Sequence, residues 1–265
     1  MGKGRWRFLP KPSNQTRNVN IGEAMTGKKV EIKTQDGVAD SHFFLPEGTG
    51  KHPAVLFYMD GLGIRQALFD MAERLAANGY AVLLPNMYYR HGPSAPIDMM
   101  KDRERMMEMV QSVTNRGTMQ DTEHFLAFLD SQPGVAGPKI GTVGYCMGGA
   151  LSLTAAGTYG RVAAAASFHG ARLATDAPDS PHLLAGKMHG EIYVGVSEID
   201  PWLAPGETDK LEAALKAAGT NATVEIYPGV QHGFAVPGLP IYDREASERH
   251  WDRLLALFKR NLAAG

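Results

Sequence analysis

The sequence has a single cysteine and lacks the histidine spacings that are typical of metal sites. Cys146 is the only cysteine among 265 residues, so a disulfide within the chain is excluded. The nine histidines show neither the His-x-His nor the His-Glu-x-x-His spacing of metal hydrolases. We therefore expect no metal, no other cofactor and a reducing, cytoplasmic location.

Neither an excess of one charge nor a long apolar run is present. The 27 lysines and arginines nearly balance the 28 aspartates and glutamates, which gives no electrostatic attraction for nucleic acid or an anionic membrane. No apolar stretch approaches the roughly 20 residues of a membrane-spanning helix. The basic start of the chain, residues 1–8, lacks the apolar core of a signal peptide. We expect a small molecule as partner and a monomer or small homo-oligomer.

The sequence does contain a regular alternation of strand and helix patterns. Residues 1–27 are polar and rich in glycine and asparagine, so they predict a surface extension, and residues 28–265 predict a single domain. Short apolar runs predict strands at 30–33, 41–45, 54–58, 80–84, 140–145, 162–168, 191–196 and 223–227. Amphipathic or capped stretches predict helices at 66–78, 96–113, 118–131, 148–157, 208–218 and 243–262.

This alternation predicts an α/β protein. Strands separated by helices form a mostly parallel sheet with helices on both faces, because each parallel connection has to cross over the sheet. In such a sheet, ligands bind beyond the carboxyl ends of the strands. Residues that directly follow the strands are therefore the candidates for a functional site.

Residues 144–148, Gly-Tyr-Cys-Met-Gly, match the turn that places a nucleophile between a strand and a helix. The glycines allow close backbone contacts that a Cβ atom would block. At the start of the following helix, free N–H groups and the helix dipole favour a thiolate and a developing oxyanion. Cys146 is therefore the candidate nucleophile. The alternative is that it is a small buried hydrophobic residue.

A cysteine nucleophile needs a base, and the base needs an acid that orients it. In α/β-hydrolases the acid and then the histidine follow the nucleophile along the chain. His232 lies in a glycine-flanked loop between a late strand and the last helix, which makes it the candidate base. His169 also follows a strand, but packing within a loop is the more common role of such a residue.

The orienting acid should follow the strand predicted at 191–196. Glu198 and Asp200 both stand there. Glu198 lies nearer to the strand, whereas Asp200 precedes a Pro-Trp turn that suits an aspartate at the bend of a loop. We favour Asp200 and keep Glu198 as the alternative.

Three segments together resemble the dienelactone hydrolase family of the α/β-hydrolase superfamily. They are Gly-Tyr-Cys-Met-Gly-Gly at 144–149, Tyr-Pro-Gly-Val-Gln-His-Gly-Phe at 227–234 and Leu-Pro-Asn-Met-Tyr-Tyr-Arg at 84–90. The resemblance runs from about residue 30 to the C-terminus. It implies the α/β-hydrolase fold and hydrolysis of an ester or lactone through a thioester intermediate.

The resemblance also implies roles for individual residues. Cys146 is then the nucleophile, His232 the base and Asp200 the orienting acid. The oxyanion hole is formed by the backbone N–H of Met147 and by one from the loop after the strand at 54–58, for which Gly61 is the candidate.

Three further residues are candidates for contacts with the substrate. Arg90 corresponds to an arginine that binds a substrate carboxylate in the family, a task that suits the two parallel hydrogen bonds of a guanidinium. Asp60 stands near the position of a family glutamate that contacts the resting thiol, and Tyr145 lies beside the nucleophile. The family's second carboxylate-binding arginine has no counterpart, because residues 234–237 are apolar. The expected substrate is a small carboxylate-bearing ester or lactone.

Two other functions stay open at this point. A thioesterase or short-chain carboxylesterase would use the same three catalytic residues. A non-catalytic protein that binds a small molecule on the same fold is the alternative from another class. A phosphate-binding loop is excluded, because the glycine-rich residues 141–149 lack Gly-Lys-Ser/Thr.

Overall fold

The computed structural model describes residues 27–262, so residues 1–26 of the predicted extension lie outside the described part. The strands are β1 (Lys28–Lys33), β2 (Val38–Phe44), β3 (His52–Tyr58), β4 (Ala81–Pro85), β5 (Val135–Tyr145), β6 (Val162–Phe168), β7 (Glu191–Ile199) and β8 (Ala222–Gln231). The α-helices are α1 (Gln66–Ala77), α2 (Arg103–Ser112), α3 (Asn115–Ser131), α4 (Met147–Thr158), α5 (Glu207–Ala217) and α6 (Arg244–Leu262). Short 3-10 helices span Tyr89–His91 and Pro181–Lys187.

The strands form one mixed sheet in the order β1-β2-β4-β3-β5-β6-β7-β8. β1 and β2 pair antiparallel with their neighbours, whereas the strands from β4 to β8 along the sheet pair parallel. The central strands are apolar over most of their length because both of their faces are covered. The prediction of a mostly parallel α/β sheet is confirmed.

Neighbouring residues of β5 show how helices cover the two faces. The hydroxyls of Thr142 and of Ser152 in α4 are 2.8 Å apart. A Cβ atom on Gly141 would instead lie 2.8 Å from the ring of Phe258 in α6. Since successive side chains of a strand point to opposite faces, α4 and α6 lie on opposite sides of the sheet. Within residues 27–262, no helix combines the length and the apolar composition needed to cross a bilayer.

The helix predicted at 96–113 begins later than expected, because α2 covers only Arg103–Ser112. Pro96 has no backbone N–H to donate. The N–H of Ile97 donates to the carbonyl of Leu62 at 2.9 Å, so this segment is tied to the loop that follows β3. The predicted start at Pro96 is therefore wrong, because residues 96–102 lie against this loop and the helix begins only at Arg103.

The last two strands place two candidate site residues at one edge of the sheet. β8 runs to Gln231, beyond its predicted end, and its pairing with β7 shifts register between Ser197 and Ile199. Ile199 pairs with Gln231. Asp200 and His232 are therefore the first residues beyond two neighbouring strands, at the carboxyl edge of the sheet.

Candidate active site

Cys146 lies in a strained turn at the carboxyl end of the central strand β5. Its backbone φ of 56° and ψ of −120° put a residue with a side chain in a region that side chains disfavour. Such strain is concentrated at functional sites. The residue directly precedes α4, whose first N–H groups have no acceptor within the helix. The side chain is partly exposed, so the turn presents the sulfur at the edge where a ligand binds.

The glycines of the turn are required by close packing. A Cβ atom on Gly144 would lie 1.8 Å from the carbonyl oxygen of Gly148, and one on Gly148 would lie 2.3 Å from the carbonyl oxygen of Tyr58. A Cβ atom on Gly149 would lie 2.4 Å from the hydroxyl of Ser167. These separations are far below van der Waals contact, so only glycine lets α4 start this close to the ends of β3 and β5.

His232 is bound directly to Asp200. Its Nδ1 lies 2.9 Å and 2.8 Å from the two carboxylate oxygens of Asp200. The same carboxylate accepts hydrogen bonds from the hydroxyl of Ser197 at 2.6 Å and from the backbone N–H of Trp202 at 2.9 Å. The acid is therefore held by three residues, which sets the orientation of the imidazole.

Glu198, the alternative acid, lies elsewhere. Its carboxylate accepts a hydrogen bond from the backbone N–H of Gly229 at 2.6 Å and the side chain is exposed. Of the two acids weighed in the sequence, the structure places Asp200 on the histidine.

The charges around His232 favour its protonated form. Burial lowers the pKa of His232, but the charge of Cys146 and the hydrogen bond with Asp200 outweigh burial and raise it to about 10. The other ring nitrogen, Nε2, is buried and has no nitrogen or oxygen partner within residues 27–262. It is thus available to the sulfur of Cys146, and the raised pKa of His232 supports an imidazolium at neutral pH.

His169 packs against His232. The two rings are edge to face, with centroids 5.0 Å apart, and His169 is only 1% exposed. Burial, with a further contribution from the charges of His232 and His250, holds the pKa of His169 well below its usual range. A neutral ring therefore supports the position of the candidate base from the side.

The Tyr88 hydroxyl contacts both candidate oxyanion-hole residues, Gly61 and Met147. That hydroxyl donates to the carbonyl of Gly61 at 3.0 Å and lies 3.8 Å from the sulfur of Met147. The N–H of Gly61 makes no hydrogen bond to another backbone group within residues 27–262, and Met147 opens α4, where an N–H lacks a helical acceptor. Both N–H groups are available to an anion.

Arg90 bridges two carboxylates of the protein. It donates to Asp121 at 2.8 Å and 2.9 Å and to Asp36 at 3.0 Å and 2.7 Å. Its charge is therefore already balanced within the chain. The sequence predicted a contact with a substrate carboxylate, and the structure instead places this guanidinium between the β1–β2 turn and α3.

Asp60 and Tyr145 are also engaged within the protein. The carboxylate of Asp60 forms two hydrogen bonds of 2.7 Å with the guanidinium of Arg65. Tyr145 is completely buried, and its hydroxyl lies 3.0 Å from Nε2 of His250 in α6. Tyr145 has no surface to offer a substrate, and the ion pair of Asp60 occupies both of its oxygens. Both side chains are thus engaged within the protein, and the contact with a substrate stays a prediction for each of them.

Replacement of Arg90 by methionine is expected to destabilise the protein without changing substrate preference. Asp121 is 2% exposed and Arg90 33% exposed, so removal of the cation leaves a buried carboxylate unpaired. We expect a loss of about 3 kcal/mol in the free energy of unfolding, the lower end for a broken buried pair. Urea denaturation measures the loss.

The matched control is Arg161→Met, which breaks the pair with the half-exposed Asp130. This change should cost less than about 1 kcal/mol, as surface ion pairs do. If Arg90→Met left stability unchanged and selectively slowed the hydrolysis of acidic esters, Arg90 would be a substrate contact after all.

Sequence reasoning did not single out three residues that shape this site. Tyr88 supports the candidate oxyanion hole, Ser197 holds the carboxylate of Asp200, and Trp202 both donates to that carboxylate and places its ring 6.2 Å from that of His232. All three lie within a few residues of a strand's carboxyl end. A position near the carboxyl end of a strand was the only sequence signal for these residues, and many other residues share it.

Known structures resemble this one over most of its length. A crystal structure of a Klebsiella pneumoniae protein described as a dienelactone hydrolase has a TM-score of 0.79 and 22% identity, covering 90% of this chain and 100% of the other. A dienelactone hydrolase-like promiscuous phosphotriesterase from metagenomic libraries has a TM-score of 0.77 and 25% identity, covering 91% and 100%. An acylaminoacyl peptidase has a TM-score of 0.70 at 17% identity, but only 42% of it is covered. The fold is the α/β-hydrolase fold.

Proteins of similar sequence point to the same family as the structural comparison. A Synechocystis protein provisionally named carboxymethylenebutenolidase is 27% identical over 237 residues, covering 88% of this chain and 96% of the relative. A Bradyrhizobium protein provisionally named 2-oxo-3-(5-oxofuran-2-ylidene)propanoate lactonase is 24% identical, covering 88% and 94%. The dienelactone hydrolase family profile matches residues 40–262. The chain therefore belongs to the dienelactone hydrolase family and is a carboxylic ester hydrolase of that type.

Proposed function

We propose that the protein hydrolyses a small, carboxylate-bearing ester or lactone with Cys146 as nucleophile, His232 as acid and base, and Asp200 as the orienting acid. The observation that carries the proposal is the hydrogen-bonded pair of Asp200 and His232 at the edge where the strained Cys146 turn opens. The relatives named carboxymethylenebutenolidase and lactonase support a lactone ring as the bond cleaved.

In the first half of the reaction, the sulfur of Cys146 attacks the carbonyl carbon of the substrate. The electron pair of the C=O double bond moves to oxygen, where the N–H groups of Gly61 and Met147 stabilise the charge. The intermediate then expels the alkoxide, which takes a proton from Nε2 of His232. The product of this half is a thioester on Cys146, and in a lactone the released hydroxyl stays attached to the acyl group.

In the second half, neutral His232 removes a proton from water as the water oxygen attacks the thioester carbonyl. The same N–H groups hold the second oxyanion, and its collapse breaks the C–S bond. The thiolate of Cys146 and the imidazolium of His232 are restored together. The raised pKa of His232, about 10, supports the imidazolium as the resting form of this histidine.

A substrate panel combined with rapid chemical quenching tests the proposal. We expect turnover of an enol-lactone with a free carboxylate, of the same ring without it, and of 4-nitrophenyl acetate. Quenching with acid during turnover and measuring the intact protein mass should reveal an added acyl group. Because Cys146 is the only cysteine in the chain, protein alkylated beforehand with iodoacetamide is the matched control and should show no acyl group.

Two results would contradict the proposal. Stoichiometric binding of the esters without turnover would identify a small-molecule binding protein on the same fold. Turnover of acyl thioesters alone, with esters and lactones untouched, would identify a thioesterase.

A further inference from the structure

Arg172 lies in the loop after β6, close to the candidate nucleophile. The N–H of the preceding residue, Ala171, donates to the carbonyl of Cys146 at 3.3 Å. The backbone φ of Arg172 is 59°, a left-handed conformation that is uncommon for a residue with a long side chain. The loop therefore holds this arginine next to the turn in a conformation that would be more readily adopted by glycine or asparagine.

The charge of Arg172 is not neutralised within the described part of the chain. Arginines that form ion pairs within residues 27–262 are Arg65, Arg74, Arg90, Arg161, Arg249, Arg253 and Arg260. Arg172 is not among them, and its side chain is exposed. The two arginines that the sequence places in loops at the same edge, Arg65 and Arg90, are each held by carboxylates of the protein.

Arg172 acts on the same hydroxyl that supports the candidate oxyanion hole. Burial raises the pKa of Tyr88, the charges of Asp60 and Cys146 raise it further, and the charge of Arg172 opposes them. The Tyr88 hydroxyl in turn contacts Gly61. The guanidinium of Arg172 is thus within electrostatic reach of the place where the ester carbonyl would bind.

We infer that Arg172, and not Arg90, binds the carboxylate of an anionic substrate and sets the preference of the enzyme for acidic esters. This inference rests on the proposed ester hydrolysis. An unpaired guanidinium in the loop beside the Cys146 turn offers two parallel donors to a carboxylate, whereas that of Arg90 already donates to two carboxylates of the protein.

Two esters of equal length test the inference: 4-nitrophenyl hydrogen adipate, which carries a carboxylate, and 4-nitrophenyl hexanoate, which does not. Arg172→Asn removes the charge and keeps a residue that tolerates the left-handed conformation. We expect kcat/KM for the adipate to fall by about 10- to 100-fold, mainly through KM, as for loss of a charge-assisted hydrogen bond. The value for the hexanoate should stay within about twofold, since a neutral ester never used the contact.

Two further variants separate local binding from net charge. Arg172→Lys should recover part of the preference for the adipate, because lysine restores the charge but not the paired donors. Lys139→Met removes an exposed charge near the start of β5, at the opposite edge of the sheet. This variant should leave kcat/KM for both esters unchanged. An unchanged adipate-to-hexanoate ratio in Arg172→Asn, or an equal drop in Lys139→Met, would overturn the inference. Wild-type protein that hydrolyses neither ester would instead contradict the proposed function.

Discussion

Cys146→Ala is expected to lower kcat by about 10³-fold or more while the protein stays folded. Loss of the nucleophile removes the covalent route, and what remains is binding and the oxyanion hole. The substitution deletes a single sulfur atom at a partly exposed position, so stability should change by less than about 1 kcal/mol. Steady-state hydrolysis of 4-nitrophenyl acetate and thermal unfolding measure the two effects.

Cys146→Ser is the conservative control. It retains a nucleophilic oxygen in the same turn, so it should keep more activity than the alanine variant although less than the wild type, because a hydroxyl is far less ionised than a thiol beside a histidine. Retention of more than a tenth of wild-type turnover by the purified alanine variant would show that Cys146 is not the nucleophile.

Asp200→Asn is expected to lower kcat by about 10⁴-fold, the size of the loss when the orienting acid of a triad becomes an amide. The amide can donate to Nδ1 of His232 and so favour the wrong tautomer. The change also removes a carboxylate that, together with the charge of Cys146, raises the pKa of His232, so that pKa should fall. Steady-state kinetics measure the first effect, and an NMR titration of the histidine ring measures the second.

The matched control is Glu198→Gln, two residues earlier in the chain, near the end of β7. Glu198 accepts a hydrogen bond from the backbone N–H of Gly229, and the amide oxygen of glutamine can accept the same bond. Activity and the pKa of His232 should stay close to those of the wild type. If instead Glu198→Gln removed activity and Asp200→Asn did not, the orienting role would belong to Glu198.

Short sequence patterns were sufficient to predict the turn around Cys146 and the position of His232. The spacing of Gly144, Cys146 and Gly148 reflects contacts between the turn, α4 and the end of β3, where any Cβ would collide with backbone. Such a steric requirement appears in the sequence as a fixed spacing of glycines, which can be recognised without knowledge of distant residues. His232 could be found because the chain order of an α/β-hydrolase places its base after a late strand.

The choice between Glu198 and Asp200 could not be made from the sequence. Glu198 is the last residue but one of β7 and Asp200 is the first residue after it, and the answer depends on how β7 pairs with β8. The register shift between Ser197 and Ile199 carries Asp200 to His232 and leaves Glu198 facing Gly229. A pairing irregularity of this kind arises between two strands and has no signature in either strand alone.

The side-chain partners of Arg90, Asp60 and Tyr145 could not be predicted from the sequence either. Each stands in a stretch that resembles the family's site, yet each side chain is taken up by another part of the fold: Arg90 by Asp36 and Asp121, Asp60 by Arg65, and Tyr145 by His250. Whether a charged or polar side chain is free to bind a ligand depends on which groups of the folded protein lie next to it.

By itself, the sequence determined the alternation of strands and helices, the turn around Cys146 and the position of His232, because apolar periodicity and steric glycines act over a few neighbouring residues. Only the tertiary structure decided which acid meets the histidine, that Tyr88 supports the loop at Gly61, and that Arg172 is left without a carboxylate among residues 27–262. Those outcomes depend on contacts between elements far apart in the chain, where pairing and burial, not local pattern, decide which groups remain free for a substrate.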